Sequence, residues 1–338
     1  MIGEIKDGDW RSELSGKNVV YIATKNSDYL RLKQEISFIQ KYAGKCTVIV
    51  SGEKSYLKRI LYVYKKILFT SFKKYDVVFV GFMAQMIVPI WKWKFGSNKL
   101  IVDFFISIFD TLVDDRKKVK SSSLIGRFLH WFDERTIKPA DFVVADTKAH
   151  GQYFADEFGV DPENIQTMYL EADTTYYHPM EIERPECWKD KFLVLYFGSI
   201  LPVQGVEVIL EAIDRLKDNK QIHFIMIGPI NKKYNKIDSD TVTYIDWLEQ
   251  GELAKYIAYS DLCLAGHFAK NIGKANRTIP GKAYIYKSME KKIIFGDSSA
   301  NREVFMDKDD NNYFVEMGNS IALGNAIIRI YEEKGYAK

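Results

Sequence analysis

The sequence has few of the residues that would mark a metal-bound, disulfide-linked or membrane-spanning protein. Its 338 residues include 3 cysteines and 5 histidines. Cys46, Cys187 and Cys263 are far apart and match no metal-ligand spacing, so we expect thiols in a reducing compartment and no bound metal. The most apolar window, Val77–Trp91, is interrupted by a glutamine and a proline and falls short of the roughly 18–20 residues that span a bilayer.

A strong charge of one sign is also missing. Lys and Arg total 48 against 45 Asp and Glu, which gives a formal net charge of +3. A dedicated nucleic-acid-binding protein needs a concentrated excess of cations, so no nucleic-acid partner is expected. The segment Met1–Trp10 contains no apolar run, and we therefore expect no secretory signal and a cytoplasmic protein.

Short apolar runs alternate with longer stretches of helical periodicity along the first half of the chain. The predicted strands there are Val19–Ala23, Thr47–Val50, Val77–Val80, Leu100–Val102 and Phe142–Ala145. The clearest predicted helices between them are Arg31–Tyr42, Tyr56–Phe72 and Leu124–Thr136. Strands that are apolar at every position are typical of parallel sheets covered on both faces.

The same alternation starts again in the second half. Its predicted strands are Leu193–Phe197, Phe224–Ile227, Val242–Ile245, Leu262–Leu264 and Ile293–Phe295, and Val206–Leu216 has apolar residues at helical spacing. Alternating strands and helices predict parallel sheets with right-handed crossovers. The predicted fold class is therefore α/β, with two Rossmann-like, doubly wound parallel-sheet domains.

A polar, proline-bearing segment separates the two halves. His178–Lys191 is typical of an interdomain linker, so we predict a first domain over residues 1–180 and a second over 181–320. The amphipathic stretch Ile321–Glu333 is predicted to be a helix. Within a C-terminal segment 321–338, this helix is expected to pack back on the first domain.

Several strands of the second half end in glycine, where parallel sheets bind ligands. Gly198-Ser199 and Gly228 stand at two such junctions, and neither fits a dinucleotide or P-loop motif. The segment Lys270–Glu303 adds Lys274, Arg277 and Lys282. These cations would neutralise a diphosphate leaving group. A solvated basic loop is the alternative interpretation.

Two features of the first half also have two interpretations each. Asp103 and Asp110 follow a predicted strand, and they either orient and deprotonate an acceptor hydroxyl or cap loops. The segment 54–99 interleaves lysines with aromatic residues. It either lies on an anionic membrane or packs its aromatic side on the sheet. His267, at another strand end, is expected to be structural.

Three ordered segments resemble the donor domain of family 4, group 1-like glycosyltransferases of the polysaccharide and cell-envelope type. They are Phe197–Ala212, which contains F-G-S-I-L-P-V-Q-G; Lys274–Tyr284, which contains K-A-N-R-T-I-P-G-K; and Ile293–Glu303, which contains I-I-F-G-D-S-S-A-N-R-E. The segment Lys138–Thr147 and the Tyr177-His178-Pro179 junction also fit. The resemblance implies the GT-B fold, in which the two domains face a central cleft.

The resemblance also implies a site. A UDP- or GDP-sugar would be the co-substrate, without metal or other cofactor and with retained anomeric configuration. The implied donor-binding residues are Gly198, Ser199, Gln204, Gly228, Lys274, Arg277, Lys282, Tyr284, Ser299 and Asn301. Glu303 would lie near the sugar and nucleotide. With Asp103 and Asp110, which were identified above from their position after a strand, it makes up the predicted catalytic residues.

Two departures from the family pattern bear on activity. Ile285 stands where the family has a ribose-binding glutamate, and Gln204 replaces the loop lysine. The predicted function is transfer of a hexose from a nucleotide sugar to a glycan or polyprenyl-linked glycan at the inner face of the cell membrane. The alternative is a non-catalytic GT-B partner, or a glycan-binding subunit of a glycosyltransferase complex.

Overall fold

The computed structural model describes residues 11–230, 234–306 and 310–335. The chain forms two compact units, Met1–Leu170 and Glu171–Lys338, each built on one six-stranded sheet. The boundary thus lies at Leu170 instead of the predicted residue 180. Met1–Trp10, on which the absence of a secretory signal was predicted, lies outside the described residues.

The first unit has a parallel sheet in the order β2-β1-β3-β4-β5-β6. Its strands are β1 (Asn18–Ile22), β2 (Lys45–Ile49), β3 (Val77–Val80), β4 (Lys99–Asp103), β5 (Phe142–Ala145) and β6 (Ile165–Thr167). Its helices are α1 (Leu30–Tyr42), α2 (Tyr56–Phe69), α3 (Val88–Phe95), α4 (Leu124–Ile137) and α5 (Lys148–Phe158), with a π-helical turn at Asp110–Asp115.

The helices of this unit cover both faces of its sheet. One core cluster contains side chains from α2, α3, α4 and α5, including Val63, Phe95, Ile137 and Phe154. The opposite cluster contains α1, through side chains such as Leu32. Because both faces are covered, the central strands are buried at nearly every position, which explains their uninterrupted apolar sequence.

The second unit repeats the architecture in the order β12-β11-β10-β7-β8-β9. Its strands are β7 (Phe192–Phe197), β8 (Ile222–Ile227), β9 (Val242–Ile245), β10 (Leu262–Leu264), β11 (Lys292–Gly296) and β12 (Asn312–Val315). Its helices are α6 (Val206–Leu216), α7 (Gln250–Tyr259), α8 (Gly273–Arg277), α9 (Gly281–Ser288), α10 (Ser299–Val304) and α11 (Ser320–Glu333). All the strand pairs are parallel.

These strand orders confirm the predicted α/β class with two doubly wound parallel sheets. In the second sheet the chain order reverses between β7 and β10. Ligands of such sheets bind beyond the carboxyl ends of the strands at this reversal. The topology therefore predicts a ligand site at the loops that follow Phe197 and Leu264.

The C-terminal helix differs from our expectation. α11 packs on α6, and its Leu323, Ile327 and Ile330 are buried in the core of the second unit. Beyond the helix, the Lys334 ammonium donates to Asp261 Oδ1 at 2.8 Å. The apolar side of α11 is therefore used within its own unit, and packing of the C-terminal segment on the first domain stays a prediction.

Candidate functional site

The carboxyl ends of β7 and β10 form one compact polar cluster. The Lys282 Nζ on α9 donates a hydrogen bond of 2.5 Å to Gln204 Oε1, in the loop after β7. The same ammonium lies 4.1 Å from the ring centroid of Tyr196, on β7. The Tyr196 hydroxyl donates to the same Gln204 oxygen at 3.4 Å. Gln204 and Lys282, both predicted to bind the donor, are thus in direct contact.

Glycines make the close approach at this cluster possible. Gly198 and Gly228 have φ values of 141° and 145°, a region that side chains rarely adopt. A Cβ at Gly198 would lie 3.0 Å from Lys282 Nζ, and one at Gly228 would collide with the Gly198 carbonyl oxygen. A Cβ at Gly266, after β10, would collide with Gln204 Oε1. The glycines thus allow the strand ends to approach the Lys282 and Gln204 side chains closely.

Lys282 is a cation in a poorly hydrated place. Its side chain is buried, with the residue 7% exposed. Within the described residues, its polar contact is the neutral Gln204 amide and its ring contact is Tyr196. Burial lowers the pKa of the Lys282 ammonium well below its usual value, because water is removed from the charged form. An anion bound beside Lys282 would stabilise the charged form of its side chain.

The other predicted cations lie on the short helix that precedes α9. Lys274 and Arg277 are half-buried on α8, and both have further polar or charged contacts. Tyr284 is buried, with its ring centroid 5.9 Å from that of Phe305, so it packs within the unit. Ile285 is half-buried on the same helix.

The side chains and amides after β11 form hydrogen bonds with nearby residues of the second unit. The Ser299 amide donates to Asn276 Oδ1 at 3.1 Å. Asn301 is fully buried and donates from Nδ2 to the Gly296 carbonyl at 2.8 Å, so its amide braces the strand end. Arg302 forms a bidentate pair with Asp297, with distances of 2.5 and 2.9 Å. The predicted donor contacts of Ser299 and Asn301 stay predictions.

Glu303 and His267 complete the predicted residues of the second unit. Glu303 is half-buried on α10. His267 is buried in a left-handed conformation, with φ of 58°, directly after Gly266. Its Nδ1 lies 2.9 Å from the Thr278 carbonyl oxygen, so the ring links the loop after β10 to the segment before α9.

In the first unit, Asp103 belongs to a buried ion-pair cluster. The Arg31 guanidinium donates to Asp103 Oδ1 at 2.8 Å and lies 3.3 Å from Glu35 Oε1. The Tyr21 hydroxyl donates to Glu35 Oε2 at 2.5 Å. Burial and then the Asp103 charge raise the pKa of Glu35 well above its usual value. The contacts describe a bracing carboxylate, and a catalytic role for Asp103 stays a prediction.

Asp110 lies in a second buried network, which sequence analysis did not find. His150 Nδ1 is 2.6 Å from Asp146 Oδ1, and His150 Nε2 is 3.9 Å from Asp110 Oδ2. All three residues are buried. The contact to Asp146 is a hydrogen bond, whereas the contact to Asp110 is longer than hydrogen-bond distance. Its sequence signal was the spacing of Asp146 and His150, four residues apart at the start of α5; catalysis by Asp110 stays a prediction.

Two features are absent from the described residues. In the part of the chain that the structure describes, no group of three or more His, Cys, Asp and Glu side chains is placed to hold a metal ion. Among the same residues, no helix is both long and apolar enough to cross a membrane.

Residues 191–333 match a known family, Glycosyl transferases group 1. Residues 191–333 are thus similar to a group 1 glycosyl transferase domain. That domain occupies most of the second unit and contains the whole Lys282 cluster. The predicted resemblance to this family is therefore confirmed.

Relatives and solved structures agree with this assignment. A Klebsiella pneumoniae protein, described as an uncharacterized 41.2 kDa protein in a cps region, is 22% identical over 203 residues. The match covers 57% of this chain and about half, 54%, of that protein. Anabaena HepE in complex with UDP has a TM-score of 0.62 at 13% identity, with coverage of 94% of this chain and 91% of HepE.

A second similar structure is sucrose-phosphate synthase from Thermosynechococcus elongatus. Its TM-score is 0.63 at 11% identity, and the match covers 95% of this chain and 91% of that protein. At such low identity the likeness shows the fold, which is that of the GT-B glycosyltransferases. The predicted GT-B architecture is confirmed in its two six-stranded parallel sheets.

Proposed function

We propose that the protein is a glycosyltransferase that moves a hexose from a nucleotide sugar, with retained anomeric configuration. The observation that carries the proposal is the buried Lys282 ammonium at the reversal point of the second sheet. A pyrophosphate is the anion that a nucleotide sugar would bring to this position. As the sugar leaves, negative charge develops on that pyrophosphate, and a nearby cation stabilises it.

The surroundings of Lys282 support this assignment. Its hydrogen-bond acceptor is an uncharged amide, so Gln204 does not neutralise the ammonium before a phosphate arrives. In the family, a loop lysine stands at the position of Gln204. Here the Lys282 ammonium is bonded to the side chain at that same position, 78 residues away in the sequence. We propose that Lys282 supplies the charge that the loop lysine supplies elsewhere.

We propose a UDP-sugar as the donor before a GDP-sugar. HepE, which shares the fold, was solved with UDP and with UDP-glucose. Arg277 and Lys274 would add positive charge around the diphosphate. Ile285 has no oxygen that accepts a ribose hydrogen bond, so another group, such as the Tyr284 hydroxyl or the backbone, would hold the ribose.

We propose a glycan or polyprenyl-linked glycan as the acceptor, in polysaccharide biosynthesis. The Klebsiella relative of the cps region supports this choice. So does the outer side of α2, where Leu57, Leu61 and Phe69 are 71%, 67% and 77% exposed. The helix also carries three lysines and one arginine and has no acidic residue. Such a face suits the anionic inner leaflet of a cell membrane.

A second candidate function is a non-catalytic partner of an active transferase. The residues that favour it are Ile285 and Gln204, which replace two polar groups of the family pattern. A partner of this kind would keep the fold and would not bind a nucleotide sugar. The two candidates therefore differ in a property that can be measured directly.

Calorimetric titration of the chain with UDP, GDP and UDP-glucose separates the two functions. The transferase predicts binding of at least one nucleotide, and the non-catalytic partner predicts none. Release of UDP from UDP-glucose, together with transfer of glucose to a lipid-linked acceptor, then tests catalysis against a control without acceptor. A chain that binds no nucleotide at millimolar concentration would contradict the transferase.

A further inference from the structure

The apolar side chains that the protein exposes are concentrated on one side of the first unit. Among the described residues, 18 large hydrophobic side chains are exposed; six are on α2, two on α3 and four on α4. These helices share one core cluster, so they cover the same face of their sheet. Large exposed apolar surfaces of this kind mark contacts with membranes or other proteins.

The four exposed residues of α4 form a continuous stripe. This α4 stripe consists of Leu124, Ile125, Phe128 and Trp131, which are 83%, 62%, 56% and 49% exposed. At 3.6 residues per turn these positions lie on one side of the helix. The opposite side carries the buried residues Asp133 and Ile137. The helix therefore has one side buried in the core and a second apolar side that is exposed. No described element covers that second side.

Positive charge surrounds the stripe. The basic loop that precedes α4, Arg116–Lys120, exposes four cations, and Arg127 is exposed on the helix itself. No acidic residue occurs from Arg116 to Phe132. The nearest acidic side chains on either side, at positions 114, 115, 133 and 134, are buried or half-buried. The outer surface thus combines apolar area with exposed positive charge, which complements an anionic bilayer.

The basic loop is held firmly between the Asp110 turn and α4. The amides of Lys118 and Val119 donate to the Leu112 carbonyl, at 2.9 and 3.2 Å. The Ser123 hydroxyl donates to the Lys120 carbonyl at 2.6 Å. A Cβ at Gly126 would collide with that same carbonyl, so the loop backbone lies directly on the first turn of α4. The cations, the stripe and the Asp110 turn therefore keep a fixed relation to one another.

The surface continues into a groove between α3 and α4. The groove has a volume of about 600 Å³, and Trp131 lines it beside Lys92 and Arg135. It is also lined by Lys138 and Glu134, which form an ion pair of 2.5 Å. The Arg135 guanidinium carbon lies 6.0 Å from the Trp131 ring centroid. Aromatic rings and cations arranged in this way suit the headgroup zone of a bilayer.

We propose that the α4 stripe and the basic loop rest on an anionic membrane surface and thereby hold the Asp110 turn beside the lipid headgroups. The membrane surface proposed above for α2 would therefore also include α4. The sequence predicted α4 as a helix and indicated no membrane contact for it. The purpose of the contact, delivery of a lipid-linked acceptor, rests on the proposed function, while the contact itself does not.

Vesicle flotation tests the proposal on the full chain. The vesicles are phosphatidylcholine alone and phosphatidylcholine mixed with phosphatidylglycerol. One variant removes apolar area (Leu124→Ser with Phe128→Ser), and another removes charge (Lys118→Ala with Lys120→Ala). The matched control is Trp247→Ser, since Trp247 is 72% exposed in the second unit. UDP binding and the melting temperature are measured for every variant.

We expect the parent chain and the Trp247→Ser control to bind the anionic vesicles equally. Each cation near such a surface contributes about 1 kcal/mol, or roughly fivefold in partitioning, so the charge variant should bind about 25-fold more weakly. The apolar variant should bind at least about tenfold more weakly, with an unchanged melting temperature. Both variants should bind UDP as the parent does.

Several outcomes would overturn the proposal. They are equal vesicle binding by parent and α4 variants, equal binding to neutral and anionic vesicles, and a parent dimer that Phe128→Ser dissociates. The last would assign the stripe to a second copy of the chain. If the parent chain does not bind UDP, that result contradicts the proposed function. It does not change the conclusion drawn from the vesicles.

Discussion

The Lys282→Met substitution is predicted to have opposite effects on stability and on donor binding. Methionine keeps the length and apolar stem of the side chain and removes the ammonium. In the parent, that ammonium is buried and hydrogen-bonded to a neutral amide. A charge that is buried without an anion destabilises the fold, and a residue that a protein retains at such a cost is a functional candidate.

The magnitude follows from two opposing contributions. Replacing a buried charge by an apolar group commonly stabilises by about 1–4 kcal/mol. Loss of the hydrogen bond to Gln204 offsets this by about 1–3 kcal/mol, toward the lower end because the Tyr196 hydroxyl, at 3.4 Å, still donates to the same oxygen. We therefore expect a net gain of about 1 kcal/mol, or about 2–4 °C in melting temperature.

Donor binding should change in the other direction. Removal of one partner from a buried charge–phosphate contact costs about 2–4 kcal/mol, or roughly 30- to 1,000-fold in Kd for UDP. The pKa of Lys282 is lowered in the free protein, and a bound pyrophosphate raises it again. UDP binding by the parent should therefore take up protons and weaken as the pH rises above the lowered pKa.

Calorimetry in buffers of different ionisation enthalpy measures both the affinity and the proton uptake. Thermal unfolding measures the stability, whose pH dependence has a defined sign. Because the folded pKa is depressed, the unfolded state binds more protons, so the parent gains stability as the pH rises toward the usual lysine value of 10.5. The Lys282→Met variant should lack that gain.

Lys287→Met is the matched control on the same helix. Lys287 is exposed and lies over the Phe305 ring at 5.3 Å, so its replacement should change stability and UDP affinity by less than about 0.5 kcal/mol. The reasoning is refuted if Lys282→Met binds UDP as tightly as the parent. It is also refuted if the variant loses several kcal/mol of stability, since Lys282 would then be structural.

Two further substitutions test the frame that holds the site. Burial alone would raise the pKa of the Asp261 carboxyl, but hydrogen bonds from Arg184 and Lys334 hold it below its usual range. Asp261→Asn should thus cost about 2 kcal/mol near neutral pH in urea unfolding, and the difference should shrink below about pH 4; a constant difference would contradict this. Gly228→Ala should cost roughly 1–3 kcal/mol and weaken UDP binding, because its Cβ would meet the Gly198 carbonyl. Gly251→Ala, in open space on α7, should instead stabilise by about 0.5–1 kcal/mol, and equal effects would refute the steric argument.

The sequence predicted the central strands well because burial on both faces leaves a plain signal. Val77–Val80 and Phe142–Ala145 are strands with the predicted bounds. The edge strands Ile165–Thr167 and Asn312–Val315 were missed, since they are half-buried and partly polar. An edge strand pairs on one side alone, so its sequence need not be continuously apolar.

Tertiary contacts explain what the sequence left out of the site. Lys282 and Gln204 each followed from local patterns, but their hydrogen bond depends on two loops brought together by the order of β7 and β10. The network of His150 and Asp110 depends on residues 40 positions apart. The sequence did not predict the α4 stripe. An amphipathic pattern shows which residues lie on the same side of a helix, but it does not show that a second apolar side stays exposed.

A crystal structure of the full chain with UDP tests the central claim most directly. The account predicts pyrophosphate density beyond the carboxyl ends of β7 and β10, within hydrogen-bond distance of the Lys282 ammonium. Pyrophosphate density at any other position would contradict it. In that case the Lys282 ammonium would still be bonded only to Gln204.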